Sequence, residues 1–296
     1  MLPLGETDGP GGPPAFADVV AVAAAAEAGG LDSAWLADHF FYRADDGREY
    51  GLHEAWTWLT GVAAVTERLE VGLLVAPTSF RNPVLTAKMA ATLDAVARGR
   101  FILGLGCGWH EPEYEALGIP FDHRVGRFEE ALELITRLLD GERVTFRGRW
   151  YEATDAVLLP PPGRPIPILI AAKGERMLRL TVQHADLWNT AWFGRPDDRL
   201  RGRMAALDAA LAATPRDRAP LIRTVGINVR DPDQPPVPEP EDGAFEGSIA
   251  ELADLLAEYE RLGFGHVQVG LEPISVRSVE RLAEAVRLLR AGAEVA

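Results

Sequence analysis

The chain has 296 residues, enough for one large α/β barrel or two smaller domains, and its 47% hydrophobic and 25% charged residues are ordinary for a globular protein. Its 30 basic and 44 acidic residues give a formal net charge of −14, which disfavours nucleic acid or an anionic membrane as a partner. The single cysteine, Cys107, excludes an internal disulfide and agrees with a cytoplasmic location, and no apolar run predicts export or membrane insertion. Because the net charge is negative, an anionic ligand would need a locally basic site.

Hydrophobic periodicity predicts alternating strands and helices along the chain. Apolar residues spaced at three and four positions indicate helices, and short apolar runs indicate buried strands. In chain order the predicted elements are helix 16–28, strand 33–37, helix 54–67, strand 69–76, helix 82–97, strand 101–106, helix 124–139, a hairpin at 144–159, strand 166–171, helix 175–184, strand 185–190, helix 197–213, strand 222–229, helix 248–262, strand 266–271 and helix 276–293. The segment 230–243, rich in proline and acidic residues, is predicted to be a surface loop.

This alternation predicts a (β/α)8 barrel of the TIM type, with one domain over residues 1–296 and insertions at its C-terminal rim. Seven barrel strands and eight helices are recognisable, and no linker separates two halves. The missing strand should be the first, and residues 1–4 are predicted to be the end of a truncated first strand. A doubly wound parallel sheet is the alternative architecture.

The strand at 101–106 leads into a glycine-spaced loop with the sequence GLGCGW at 104–109. Parallel α/β proteins bind ligands where strands end, and glycine lets a flat or anionic ligand approach the main chain closely. The spacing is not that of a Rossmann fingerprint, because Trp109 stands where the last glycine is required and Pro112 is expected to delay the next helix. A Rossmann nicotinamide site is therefore disfavoured, and a tight turn without a ligand is the simpler alternative.

Asp38 and His39 follow the second predicted barrel strand, at the face where barrel enzymes carry their catalytic residues. Histidine titrates near neutral pH, and a neighbouring carboxylate can orient it or keep it charged, so this pair is a candidate acid/base site. A histidine that only packs at a strand end is the alternative. His110 with Glu111 and Glu113 lacks a known metal-ligand spacing, and no metal site is predicted.

A second candidate site is the segment 173–176, with the sequence KGER, where a strand ends and a helix begins. Free amides at a helix N-terminus together with two cations can hold a phosphate, although an ordinary loop with surface charges explains the same residues. Several tryptophans near strand ends could wall a planar heterocycle or simply pack in the core. They are Trp35, Trp56, Trp58, Trp109, Trp188 and Trp192.

A series of short motifs occurs in one order along the chain. They are DHF at 38–40, EAWT at 54–57, VGLLVA at 71–76, RNP at 81–83, KMAATLD at 88–94, GRF at 99–101, GLGCGW at 104–109, GIPF at 118–121, RFEE at 127–130 and ADLWN at 185–189. Together they resemble the bacterial luciferase-like monooxygenase family, most closely its branch of oxidoreductases that depend on the deazaflavin coenzyme F420. The resemblance extends over about residues 15–290 and is densest from 31 to 190.

The resemblance implies a TIM-type barrel with a flavin or deazaflavin at its C-terminal rim. Asp38 and His39 would lie beside the ring, with His39 as proton donor or acceptor. The other residues placed around the cofactor are Leu73, Leu74 and Val75 behind the ring, Cys107, Gly108 and Trp109 at its edge, and Lys173, Gly174, Glu175 and Arg176 at the phosphate, with Arg277 a further phosphate candidate. A bulge with a non-proline cis peptide bond is expected in the segment behind the ring.

The implied activity is hydride transfer between F420 and a small organic substrate. Relatives that oxidise sugar phosphates carry a glutamate as proton donor in the loop after the fourth strand, where this chain has Trp109, which argues against that scheme here. An FMN-dependent monooxygenase that uses reduced flavin and oxygen is one alternative. A non-catalytic flavin- or deazaflavin-binding protein is another. Because members of this family often pair through exposed barrel helices, a homodimer is expected.

Overall fold

The computed structural model describes residues 1–9, 12–44, 46–237 and 241–293. The helices in these ranges are α1 (Phe16–Ala28), α2 (Ala55–Val65), α3 (Pro83–Val96), α4 (Glu111–Ala116), α5 (Arg124–Leu139), α6 (Glu175–His184), α7 (Asp198–Ala213), α8 (Ile249–Arg261) and α9 (Val276–Ala293), with a 3₁₀ turn at Thr78–Phe80. The strands are β1 (Ser33–Leu36), β2 (Phe41–Arg43), β3 (Glu49–Gly51), β4 (Glu70–Leu73), β5 (Ala76–Pro77), β6 (Phe101–Gly106), β7 (Val144–Arg147), β8 (Glu152–Ala156), β9 (Ile168–Ala171), β10 (Leu187–Phe193), β11 (Ile222–Arg230), β12 (Phe245–Glu246) and β13 (His266–Glu272).

Seven of these strands form a curved parallel wall in the order of the sequence: β1, β4, β6, β9, β10, β11 and β13. The N-terminal segment lies between the two ends of this wall, because Leu2 N donates to Trp35 O (2.9 Å) on β1 and Met1 N donates to Val269 O on β13. The strand order never reverses, which excludes the doubly wound alternative. The predicted (β/α)8 barrel is confirmed, with residues 1–4 at the position of its first strand.

Large side chains fill the lower part of the barrel. They are Trp35, Leu74, Ile102, Leu169 and Leu187, all buried and packed together. The outward-facing side chains of the strands pack against the surrounding helices in a separate and larger core. Filled side-chain layers of this kind are what a TIM barrel requires, since the interior is a core and not a pore.

A polar layer lies above this apolar one. Asn189 Nδ2 donates to Thr224 Oγ1 (3.0 Å) and to Gln268 Oε1 (3.1 Å), and all three side chains are buried. Strands β4 and β6 approach each other so closely that a Cβ on Gly104 would lie 1.8 Å from the backbone oxygen of Leu73. Only glycine permits this approach, which explains one of the glycines in the 104–109 motif.

The predicted helices and barrel strands are confirmed to within a few residues, with two additions near the rim. An antiparallel hairpin, β2–β3, follows the first strand of the wall, and the short helix α4 follows β6. The expectation that Pro112 delays the next helix is wrong. Pro112 lies in the first turn of α4, where a missing backbone N–H costs no helical hydrogen bond.

The predicted loop at 230–243 is only partly visible, because residues 238–240 lie outside the described ranges. Its first residue extends strand β11, and the hairpin predicted at 144–159 is formed by β7 and β8. Among the described residues, no helix has both the length and the apolar character needed to cross a membrane.

Candidate active site

The parallel barrel brings all strand carboxyl ends to one rim, and the predicted site residues follow those ends. Asp38 and His39 come after β1, Cys107 after β6, and Lys173 after β9. The rings of His39 and Trp109 lie 5.6 Å apart between centroids, so the loops after β1 and β6 meet at this rim. Residues far apart in the chain therefore form one candidate site.

His39 is hydrogen-bonded to a buried glutamate that the sequence did not single out for this role. Its Nδ1 lies 2.7 Å from Glu113 Oε2, and Glu113 is fully buried while His39 is 8% exposed. The other oxygen of Glu113 accepts a hydrogen bond from Phe40 N (2.6 Å). Because a carboxylate can only accept, Nδ1 carries the hydrogen, and Nε2 has no hydrogen bond within the described ranges. His39 is thus held with Nε2 available for proton exchange.

Asp38 has a different partner. Its carboxylate accepts hydrogen bonds from Arg81 Nη1 (2.5 Å) and Nη2 (3.1 Å) and from Trp56 Nε1 (3.3 Å). Arg81 also contacts Glu54 (2.7 Å) and lies over the Trp56 ring, with 5.5 Å from its Cζ to the ring centroid. The expectation that the neighbouring carboxylate of Asp38 orients His39 is therefore wrong, since Glu113 makes that contact. Asp38 instead fixes the loop after β1 to Arg81.

The loop after β6 is held in a single shape by its own surroundings. Gly108 has φ +73°, and a Cβ there would lie 1.8 Å from the hydroxyl oxygen of Tyr114. Tyr114 donates this hydroxyl to Cys107 O (3.0 Å), and Arg124 Nη1 donates to Gly108 O (2.6 Å). Burial raises the pKa of the half-buried Cys107 thiol, which keeps it protonated at neutral pH. Glycine at 108 thus lets α4 pack against the loop.

Two aromatic side chains form a wall beside His39, called here the aromatic wall: Tyr42 from the β2–β3 hairpin and Trp109. Their rings stack at 6.1 Å with an interplanar angle of 27°, and Tyr42 lies 4.7 Å from the His39 ring. Trp109 is 62% exposed, which is unusual for so large an apolar ring. Behind the wall, His110 Nε2 accepts a hydrogen bond from Arg43 N (3.0 Å), and burial lowers the pKa of His110, so the ring is neutral. The wall is an apolar surface available to a ligand.

The expected non-proline cis peptide bond is present between Leu74 and Val75, and a second one joins Ala191 to Trp192. Val75 and Trp192 are both partly buried and pack on the interior apolar layer, so they form the floor of the rim. Leu73 packs in the core between sheet and helices.

The tryptophans divide into two groups. Trp109 and Trp192 lie at the rim, as the site hypothesis requires. Trp35, Trp56 and Trp188 are buried in the core, and Trp58 stacks on His53, so packing explains these four.

The segment predicted to hold a phosphate opens helix α6. Gly174 is the N-cap residue and provides no side-chain cap, so the first amides of the helix have no such partner. Arg176 is bonded to Glu129, including an Nε–Oε2 contact of 2.9 Å, and a phosphate contact would require this pair to open. Burial and then the nearby guanidiniums of Arg203 and Arg199 lower the pKa of Lys173. Arg199 and Arg203 lie on α7, and no motif in the sequence marks them as site residues.

Comparison with known proteins identifies the family. The profile described as luciferase-like monooxygenase matches residues 1–234. The chain belongs to the luciferase-like monooxygenase family. Solved structures of the same fold include an F420-dependent secondary alcohol dehydrogenase in complex with an F420-acetone adduct (TM-score 0.78, 18% identity, 93% of this chain and 95% of that one). The monooxygenase RslO1 from Streptomyces bottropensis is similarly close (TM-score 0.76, 20% identity, 93% of each chain).

Relatives of this luciferase-like protein include two kinds of named enzyme. An F420-dependent glucose-6-phosphate dehydrogenase of Kineococcus radiotolerans is 36% identical over 215 residues, which is 71% of this chain and 63% of the relative. A phthiodiolone/phenolphthiodiolone dimycocerosates ketoreductase of Mycobacterium tuberculosis is 37% identical over 207 residues, 63% of this chain and 54% of the relative. The chain thus spans about half to two thirds of the length of these relatives.

Proposed function

We propose that this luciferase-like protein is an F420-dependent oxidoreductase that acts on a small organic alcohol or carbonyl compound. The observation that carries the proposal is the His39–Glu113 pair, with a 2.7 Å contact at the barrel rim and with no further hydrogen bond to Nε2 of His39 from any residue that the structure describes. The names of the relatives support the cofactor, because the dehydrogenase is described as F420-dependent.

The residues at the rim fit a deazaflavin. Val75 and Trp192 offer an apolar floor to a planar ring. The N-terminus of α6, which has no side-chain cap, and the ammonium of Lys173 have the chemistry to bind its phosphate. When bound, the deazaflavin supplies a ring carbon that accepts or donates hydride.

The protein's part of the reaction is proton transfer and positioning. His39 Nε2 accepts the hydroxyl proton of an alcohol as it is oxidised, or donates a proton to the oxygen of a carbonyl as it is reduced. Glu113 holds the Nδ1–H and stabilises the charged imidazolium in a buried setting. Asp38, through Arg81, keeps the loop that carries His39 in place.

The aromatic wall favours a substrate with an uncharged, apolar group next to its reacting carbon. Tyr42 and Trp109 present ring faces beside His39. Arg43, on the same hairpin as Tyr42, is paired with Glu49 (2.6 Å), which offsets its charge beside the wall. We therefore expect secondary alcohols or ketones to be better substrates than glucose 6-phosphate, although some relatives are named glucose-6-phosphate dehydrogenases.

Titration of the purified protein with F420 and FMN side by side tests the cofactor. F420 should bind more tightly, and the complex should exchange hydride with a panel of secondary alcohols and ketones. Oxygen consumption coupled to reduced FMN would instead select a monooxygenase. Tight binding without turnover in either direction would indicate a cofactor carrier.

Replacing His39 with alanine tests the proposed chemistry. The variant should bind F420 as the wild type does and should lose turnover by roughly 10²- to 10⁴-fold, the usual contribution of an acid/base group. A variant that turns over at the wild-type rate would remove His39 from the reaction.

We further propose that the protein acts in the cytoplasm as a homodimer. The single cysteine is consistent with a reducing compartment, and the frequent dimerisation of family members through exposed barrel helices supports a homodimer. Light scattering coupled to gel filtration measures the mass in solution, and a monomeric mass at assay concentration would contradict the dimer.

A further inference from the structure

Three cations come together beside the candidate site and are called here the basic cluster: Lys173, Arg199 and Arg203. Lys173 follows β9, and Arg199 and Arg203 lie one turn apart on α7, which follows β10. Strands β9 and β10 are parallel neighbours, with Ala171 paired to Asn189, so the segments that follow them lie side by side at the same rim. The fold therefore concentrates positive charge at one point of an acidic protein.

The cluster has few acidic neighbours. In the described part of the chain, neither Lys173 nor Arg203 makes a hydrogen bond or an ion pair. Arg199 Nη2 donates to Trp192 O (2.6 Å), and its contact with Asp197 is long (3.7 Å) and exposed. Burial, and after it the like charges of Arg203 and Arg199, lower the pKa of Lys173. In a chain with net charge −14, such an arrangement fits a ligand that brings several negative charges.

The position of the cluster indicates which part of the ligand it meets. Arg199 is fixed to the carbonyl of Trp192, whose side chain belongs to the floor of the rim. Arg203 lies one helical turn further along α7, and Lys173 lies directly before the start of α6. A ligand with its ring on the floor and its phosphate at α6 would thus place any further anionic groups near Arg203.

We propose that Arg199 and Arg203 bind the carboxylates of the glutamate tail that coenzyme F420 carries beyond its phosphate, while Lys173, at the start of α6, faces the phosphate. This inference rests on the proposed function. Charge-assisted hydrogen bonds from arginine and lysine are suited to carboxylates, and the local field would overcome the repulsion of an acidic tail by an acidic protein. FMN has a phosphate and no such tail, so the cluster gives the protein a means of preferring the deazaflavin.

Reversing one charge of the cluster tests the proposal. Arg203→Glu is compared with Arg201→Glu, which makes the same charge change on the same helix at an exposed arginine that lies 3.6 Å from Asp198. Arg203→Gln is a milder variant that removes the charge without reversing it. Thermal unfolding of all three variants establishes that they fold.

Three probes separate the parts of the ligand: the deazariboflavin core, the phosphate-bearing cofactor without glutamates, and the cofactor with several glutamates. Their Kd values are measured by fluorescence titration at low and high salt. We expect Arg203→Glu to weaken binding of the glutamylated probe by roughly tenfold or more, with a smaller loss in Arg203→Gln. Binding of the core should be unchanged in every variant, and Arg201→Glu should match the wild type. High salt should reduce the difference between the probes.

The outcomes distinguish this inference from the proposed function. Equal wild-type affinity for the probes with and without glutamates would overturn the tail site while leaving the deazaflavin assignment intact. Equal losses in Arg203→Glu and Arg201→Glu would also overturn it, since they would reflect net charge alone. Failure of the wild type to bind any of the three probes would overturn the proposed function, and the tail site with it.

Discussion

Replacement of Glu113 by glutamine is the sharpest test of the acid/base arrangement. The two oxygens of Glu113 accept from different donors, His39 Nδ1 (2.7 Å) and Phe40 N (2.6 Å). Glutamine has one oxygen and one NH₂ group and cannot accept from both. If its oxygen keeps the backbone bond, the NH₂ faces His39 Nδ1 and the ring hydrogen must move to Nε2. The reverse orientation would place two buried donors against each other, at a cost of about 1–3 kcal/mol.

The expected orientation therefore retains the fold and changes the tautomer of His39. The charged imidazolium then loses its carboxylate partner, and a hydrogen bond to a charged group is worth about 1.5–3 kcal/mol. This loss corresponds to a decrease of roughly 10- to 150-fold in kcat. The Kd for the cofactor should change little, since Glu113 is fully buried behind His39.

The assay is steady-state hydride exchange followed across a range of pH, with Kd for the cofactor measured separately. Glu115→Gln is the matched control, because it removes the same charge from an exposed position on α4. A merely structural role would lower the melting temperature and the amount of active enzyme but would leave the pH profile of kcat unaltered. Wild-type kcat and an unaltered profile in Glu113→Gln would refute the proposed positioning role.

Other predictions concern the thiol, the buried ion pair and the acid sensitivity of the fold. Burial raises the pKa of the Cys107 thiol above the ordinary 9.0, so a disulfide reagent should react with it slowly, and faster as the pH rises. Bound deazaflavin should block this reaction. If the cofactor gives no protection, Cys107 lies outside the site. Arg81→Met should lower the free energy of unfolding by about 3–5 kcal/mol in denaturant titrations, since it leaves the carboxylate of Asp38 buried and unpaired. The double variant with Asp38→Asn should recover part of this loss, and no recovery would contradict the pairing. Burial lowers the pKa of His110 below its ordinary 6.5, so the folded state binds fewer protons than the unfolded state and stability should fall as pH drops through 6.5. The slope should reach at most about 1.4 kcal/mol per pH unit for this group, and an equal slope in His110→Asn would show that it does not contribute.

The sequence was informative wherever structure depends on local patterns. Strand 101–106 and helix 124–139 were predicted with the bounds that the structure shows for β6 and α5, because hydrophobic period and strand-to-loop glycines are local properties. The family resemblance then located the rim, His39 and the cis peptide bond at Leu74–Val75. The short helix α4 escaped prediction because Pro112 was interpreted as a barrier when it stands in the first turn.

By itself, then, the amino-acid sequence determined a (β/α)8 barrel of the luciferase-like family with a histidine at its rim. Only the tertiary structure decided which groups that histidine and its neighbours contact. Glu113 is 74 residues from His39 in sequence, and Asp38 is 43 from Arg81, so no local spacing predicts either pair. Lys173 and Arg203 likewise come within electrostatic range of each other only because β9 and β10 are neighbours in the wall. Periodicity specifies elements through short-range interactions, whereas hydrogen-bond partners and charge clusters depend on how the closed barrel brings loop ends together.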